Sequence, residues 1–245
     1  TKSKTSSNSL KKESKSAFSS PLTIPYLIPS LGKLIEVNDK PYSFLRIDRA
    51  ETNFDYAIDL YSDEVYHKAS MLLHQWINED ILIQDSVESY YLYELSSENH
   101  SQTGIVGLTS VIDCVNGLIK DHEKTRTDKQ LDRVKHIDFC NAHTGPILMF
   151  HTNENHFDKQ IDQLKSRIKP FIDFKSDDSI QHRVYKVHQT EDILLIQAYF
   201  NQINNLYIAD GHHRAAAAKQ VAINRNQDIS DLTLSSNLFL SVVFP

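Results

Sequence analysis

A mixed α/β fold, a sheet with helices packed on it, is predicted by two features of the chain. Short apolar runs alternate with helix-period segments through the second half, and at 206–218 an apolar run passes through a single glycine into an alanine-rich stretch. Alternation of this kind places strands in one sheet and lays the intervening helices on it. The first half contributes one helix-period segment and a pair of strand-like runs.

The elements follow in order. Residues 63–80 carry Val65, Tyr66, Ala69, Leu72, Leu73, Trp76 and Ile77 at helical spacing, with acidic residues in the first turn, which favours a helix N-terminus. Residues 90–95 and 103–111 are strand-like and flank a polar turn at 96–101, so they should form a hairpin. A helix is expected over 128–139, with Leu131, Val134 and Ile137 on one face. Beyond it come a buried strand at 147–150, a helix at 157–168, a strand at 183–187, a helix at 191–203 and a last strand at 239–245. Three regions result: a disordered tail over 1–22, an α+β region over 23–140, and a second part over 141–245. The boundary falls at residues 141–146.

Composition narrows the function. A formal charge of -6 over 245 residues argues against broad electrostatic binding of nucleic acid. Cys114 and Cys140 are the only cysteines; without metal-type spacing they read as free thiols in a reducing cytoplasm. No apolar run approaches the roughly 18 residues of a membrane span. The serine- and lysine-rich opening lacks the apolar stretch of a secretory signal. A soluble cytoplasmic protein is therefore expected. The chain opens on threonine and closes directly after a strand, so a fragment truncated at the C-terminus is also expected.

The chemistry concentrates at Asp210, Gly211, His212, His213 and Arg214. Gly211 permits a sharp turn that other residues resist, and alanine is the best helix former. The turn should present its polar groups at a helix N-terminus, where unpaired N–H groups and the helix dipole favour an anion. Arg214 adds a fork of donors suited to phosphate or carboxylate. Taken one by one, these residues have plainer readings, since an aspartate before a helix is often only its cap. Four polar groups in a row exceed what a cap needs. His212 and His213 are adjacent, so their side chains diverge on a helix and one metal ion is not expected to take both.

A second cluster, His122, Glu123, Lys124, Thr125 and Arg126, lies in a loop before a helix that carries Asp132, Arg133 and His136. Phosphoryl transfer uses such a mixture: cations against the transferring oxygens, and a carboxylate to take a proton or hold magnesium. Alone, a charged loop reads as a solvated surface.

Tyr207-Ile208-Ala209-Asp210-Gly211-His212-His213-Arg214 followed by alanines, together with Gly117–Arg126 and the Asp128-Lys129, Asp132-Arg133 and His136 that continue it, resembles domain-of-unknown-function family 1015. The segment 102–107 resembles the hairpin strand that precedes the second motif, and agreement runs from about Pro41 to the end. The resemblance implies a ParB/sulfiredoxin-like sheet for residues 141–245, in which a turn at a helix start binds nucleotide phosphates. Its best-understood relatives are free serine kinases, which move a phosphoryl group from ATP or ADP to the hydroxyl of L-serine. It reverses the preference for a plain solvated loop at 122–126.

On this reading Gly211, His212, His213, Arg214, Lys124, Thr125 and Arg126 bind nucleotide phosphates. Asp210 and Glu123 are candidates for Mg2+, and His212 or His213 stabilises developing charge. Glu123 leads as base, with Asp132 its alternative and His122 beside it. Asp132, Arg133 and His136 support the site, or brace the loop through ion pairs. Two other functions stay open: a nucleotide-responsive binding module without turnover, and a small-molecule phosphoesterase. Neither nucleic acid nor membrane is expected as a partner, and the oligomeric state is undetermined.

Overall fold

The computed structural model describes residues 37, 40–54, 58–152, 157–226 and 228–245. The tail expected over 1–22 lies outside them, as does the start of the 23–140 region. Seven α-helices and eight strands are described: α1 (Leu45–Asp48), α2 (Asp63–Asn78), β1 (Tyr90–Ser96), β2 (Ser101–Ser110), α3 (Val111–Val115), β3 (Ile119–Lys120), α4 (Thr127–Cys140), β4 (Ile147–Phe150), α5 (Phe157–Arg167), β5 (Ile172–Lys175), β6 (Gln181–Val187), α6 (Thr190–Phe200), β7 (Leu206–Asp210), α7 (His212–Arg225) and β8 (Leu238–Phe244). The mixed α/β class expected from the sequence is what the chain adopts.

All eight strands join one sheet in the order β3-β7-β4-β8-β2-β1-β6-β5. The β1–β2 hairpin is antiparallel, as the short connection between its strands requires. Two pairs are parallel, β3 with β7 and β4 with β8, so the half of the sheet holding β7 is mixed. Strands on both sides of the 141–146 segment share this sheet.

Alternation along the strands divides the core. Tyr90 and Leu92 point to the face packed by Phe157, Ile161 and Leu164 of α5, Ile196 of α6 and the alanines of α7. Tyr91 joins Val106, Val184, Val242 and Phe244 on the other face. Helix α7 is buried on two sides, because Ala215, Ala218 and Ala222 meet the sheet while Ala217 and Val221 meet Val134 and Ile137 of α4. Short side chains on both sides let α7 lie between its neighbours at close range. Helix α4 in turn contributes Cys140 to a further cluster with Ile47 of α1 and Ala69, Leu73 and Trp76 of α2.

Among the described residues no helix is long and apolar enough to cross a membrane. Helix α1, α3, β3 and β5 are short, between two and five residues each, and carry too few repeats of any period to be read from sequence.

Candidate functional site

Three loops meet at one end of the sheet. Strand β7 ends at Asp210, and Gly211 turns the chain in the left-handed region at φ 95° before α7 begins at His212. Strand β3 runs parallel to β7, with Lys120 beside Tyr207, so the loop at 121–126 leaves the sheet where Asp210 does. Strand β4 runs antiparallel to β7 with Leu148 opposite Asp210, which brings its leading residues, Gly145 and Pro146, to the same end. Ligands of α/β sheets commonly bind outside the carboxyl ends of such strands.

Among the described residues no side chain caps α7. Its first intrahelical bond runs from the Ala215 N–H to the Gly211 carbonyl at 2.9 Å, which leaves the N–H groups of the preceding turn without helical partners. His212 is only 6% exposed. Its Nδ1 lies 3.4 Å from Glu123 Oε2, and its ring stands perpendicular to that of His122 with centroids 4.5 Å apart. Three buried side-chain atoms of this turn have no hydrogen-bond partner among the described residues: His212 Nε2, His213 Nδ1 and Arg214 Nε. Buried polar atoms are nearly always paired, because an unmade bond forfeits the full desolvation cost. Three such atoms on successive residues mark the turn as a place that can receive a polar ligand.

Arg214 is held on two sides. Its Nη2 donates to Asp210 Oδ2 at 2.9 Å, back across the turn to the end of β7. The guanidinium also rests against two glycines. A Cβ at Gly211 would lie 3.1 Å from Nε and one at Gly145 would lie 3.0 Å from Nη1, closer than side chains normally tolerate. Gly145 carries no signal of its own in the sequence; a lone glycine before a proline looks like any loop, and its opposition to Arg214 depends on β4 pairing with β7.

The expected site residues divide into three groups. His122 and Glu123 meet Asp210, Gly211, His212, His213 and Arg214 at this end of the sheet. Thr125 and Arg126 are tied instead to the start of α4: Thr125 Oγ1 donates to Gln130 Oε1 at 3.3 Å, and Arg126 donates to Asp128 through Nε at 3.2 Å and Nη2 at 2.7 Å. Arg126 thereby lowers the Asp128 pKa. Lys124 is exposed.

Asp132, Arg133 and His136 face the opposite way, toward α1 and α2. The Tyr66 hydroxyl donates to Asp132 Oδ1 at 2.8 Å, and Arg133 donates to Asp132 Oδ2 through Nε at 3.1 Å and Nη2 at 2.9 Å, so both carboxylate oxygens are engaged. Arg133 Nη1 reaches Asp48 Oδ1 at 3.5 Å, the same oxygen that accepts from Thr144 Oγ1 at 2.8 Å. His136 Nε2 lies 3.0 Å from the Ile47 carbonyl oxygen, and burial holds its pKa below the ordinary imidazole value. These residues form a brace that ties α4 to α1 and to the loop carrying Gly145.

Among the described residues no three His, Cys, Asp or Glu side chains converge in a way that could hold a metal ion. Magnesium, however, is commonly bound by one or two carboxylates plus substrate phosphates. Glu123 and Asp210 carry exposed carboxylates, 57% and 73% exposed, each able to supply such an oxygen. A separate cavity of about 260 Å³, lined by Thr152, Tyr199, Gln202, Ile203, Asn204, Asn205 and Tyr207, lies toward the other end of β7.

Fold and site together define a mixed α/β protein in which a strand–turn–helix at the carboxyl end of a sheet strand carries an uncapped helix start and unpartnered buried polar atoms. A family model described as a protein of unknown function (DUF1015) matches residues 11–245. The chain belongs to that family. No curated protein and no solved structure matches the chain.

Proposed function

We propose that the protein is a nucleotide-dependent phosphotransferase, a kinase that moves a phosphoryl group from ATP or ADP to the hydroxyl of a small amino acid, L-serine. The observation that carries this reading is the row of unpartnered buried atoms on His212, His213 and Arg214 at the uncapped start of α7. A phosphate there would accept from the helix N–H groups and from Arg214, which Asp210 and the two glycines hold in place. Magnesium, when held by Asp210 together with the phosphate oxygens, would offset charge on those oxygens. The acceptor hydroxyl must lose its proton as its oxygen bonds to phosphorus; Glu123, directly or through His212, receives it. The choice of L-serine rests on the likeness of the family to the ParB/sulfiredoxin superfamily and to free serine kinases as its best-understood relatives. This reading places the protein in the cytoplasm, acting on dissolved small molecules, with neither nucleic acid nor membrane as partner.

Phosphorus NMR of the protein with Mg2+, ATP or ADP, and L-serine tests the proposal. The expected result is a phosphoserine signal that requires both substrates and is lost in Arg214→Ala. Removing a charge-assisted donor should weaken nucleotide binding about tenfold to a hundredfold. Nucleotide binding without product would replace the kinase with a nucleotide-responsive binding module. Release of inorganic phosphate without any need for serine would replace it with a phosphoesterase, and absence of nucleotide binding would overturn the phosphate turn itself.

A further inference from the structure

We infer that Thr144 and Asp48 are positioning residues for Arg214: the bond between their side chains seats Gly145 against the guanidinium and makes α1 part of the support of the turn at 210–214. The inference rests on the reading of that turn as a nucleotide phosphate site and adds residues from outside it. Thr144 Oγ1 donates to Asp48 Oδ1 at 2.8 Å. Thr144 is joined directly to Gly145, whose backbone lies so close to Arg214 that an added Cβ would sit 3.0 Å from Nη1.

Successive residues between α4 and β4 alternate in what they touch. Asn141 ends α4 in the left-handed region at φ 49° and accepts from Arg225 Nη1 of α7 at 2.7 Å. The His143 ring bonds the Leu238 backbone at the start of β8. On the opposite side, Ala142 packs against the cluster that holds Ile47, and Thr144 bonds Asp48, the last residue of α1. Pairing of β4 with β8 begins only at Ile147. Thr144 is therefore the last anchor on the α1 side before the chain reaches Arg214. The carboxylate that receives it is itself held, since Arg133 Nη1 reaches the same oxygen at 3.5 Å.

What this anchor positions is a planar fork of donors. Arg214 Nη2 bonds Asp210 Oδ2 at 2.9 Å, and a Cβ at Gly211 would meet Nε at 3.1 Å and Nη2 at 3.3 Å. Those contacts hold one edge of the guanidinium, while the Gly145 backbone stands at Nη1 on the other. A guanidinium presents its N–H groups in fixed directions, so its use against a phosphate depends on how the plane is set. Fixing that plane in advance spares the ordering cost that a loose side chain pays when the ligand arrives.

Titration with ADP and Mg2+ tests the assignment. Thr144→Val keeps the shape of the side chain and removes only the hydroxyl; it should weaken ADP binding by about threefold to tenfold, and Thr144→Ser should restore it. In an Arg214→Ala background the same Thr144→Val change should alter affinity by less than about twofold, because the residue it positions is gone. Tyr66→Phe loosens the same brace at Asp132 without touching Thr144. It should lower stability and leave affinity unchanged, which separates positioning from a general loss of rigidity. Wild-type affinity in Thr144→Val, an equal loss in both backgrounds, or an equal loss in Tyr66→Phe would each overturn the assignment. Failure of the wild-type protein to bind ADP would refute the phosphate site instead. The positioning is then decided without ligand, by 15N NMR of hydrogen exchange at the Arg214 Nε–H. Exchange should be at least about threefold faster in Thr144→Val and unchanged in Thr144→Ser; an unmoved rate in Thr144→Val would overturn the positioning whether or not nucleotide binds.

Discussion

At residue scale the site depends on what two glycines leave out as much as on the side chains present. Gly211 sits at φ 95°, a conformation that costs a residue with a Cβ roughly 1–2 kcal/mol. Its added methyl would also press on Arg214 Nε at 3.1 Å. Gly211→Ala should therefore lose about 1 kcal/mol or more of stability and weaken nucleotide binding as well, with urea unfolding and ADP titration as the two readings. A variant that is destabilised yet binds as well as the wild type would show that Arg214 does not need its present position. Gly211 is legible in the sequence because a glycine set between an apolar strand and a run of alanines marks the turn that joins them. Gly145 is not, since only the β4–β7 pairing sets it against the same guanidinium.

Among elements, α4 separates what sequence proximity joins. The charged loop and the helix after it read as one functional cluster, but a helix turns side chains four apart onto one face and sends the intervening ones elsewhere. Asp132, Arg133 and His136 consequently meet Tyr66, Asp48 and the Ile47 carbonyl rather than the turn at Asp210. Their partners lie on α1 and α2, far back in the chain, where no local pattern could reveal them. Long periodic elements such as α2, α4 and the β1–β2 hairpin are legible to within a few residues, because each repeats its apolar signal several times. The brace carries its own prediction. Arg133 is 17% exposed and its partners Asp132 and Asp48 are 12% and 22% exposed, so Arg133→Met would strand two carboxylates in a poorly solvated interface. A loss of about 3 kcal/mol is expected, against about 1–2 kcal/mol for Tyr66→Phe, which removes one donor to an ionised group. Chemical denaturation ranks the two. Equal and small losses would mean that water reaches the interface and replaces the cation.

For the whole molecule, titratable groups outside the turn at 210–214 set how stability responds to acid. Burial pushes His143 down from 6.5 to about 4, and burial also lowers His136 and His151. For each, the unfolded chain binds a proton near pH 6.5 that the folded protein refuses, so stability falls as pH drops below that value. Asp113 works against them. Burial raises its carboxyl from 3.8 to about 6, so its contribution is fully present below 3.8 and is lost as pH rises through 6. At about 1.4 kcal/mol per pKa unit, Asp113 nearly offsets His143 over the same interval, because the two shifts are similar in size and opposite in effect. His136 and His151 then decide the sign, and both favour loss on acidification. Below about pH 4.5 Glu94 adds to it: burial raises its pKa, but the hydrogen bonds from Lys165 and Arg183 outweigh burial and hold it low, a contribution that disappears on protonation. The urea midpoint should thus fall between pH 7.5 and pH 5. Asp113→Asn should raise stability at pH 7.5 by about 3 kcal/mol and make the fall toward pH 5 steeper, since the opposing carboxyl is gone. A midpoint that rises between pH 7.5 and pH 5 in the wild-type protein would show that Asp113 outweighs the histidines, and that at least two of the three are protonated within the fold.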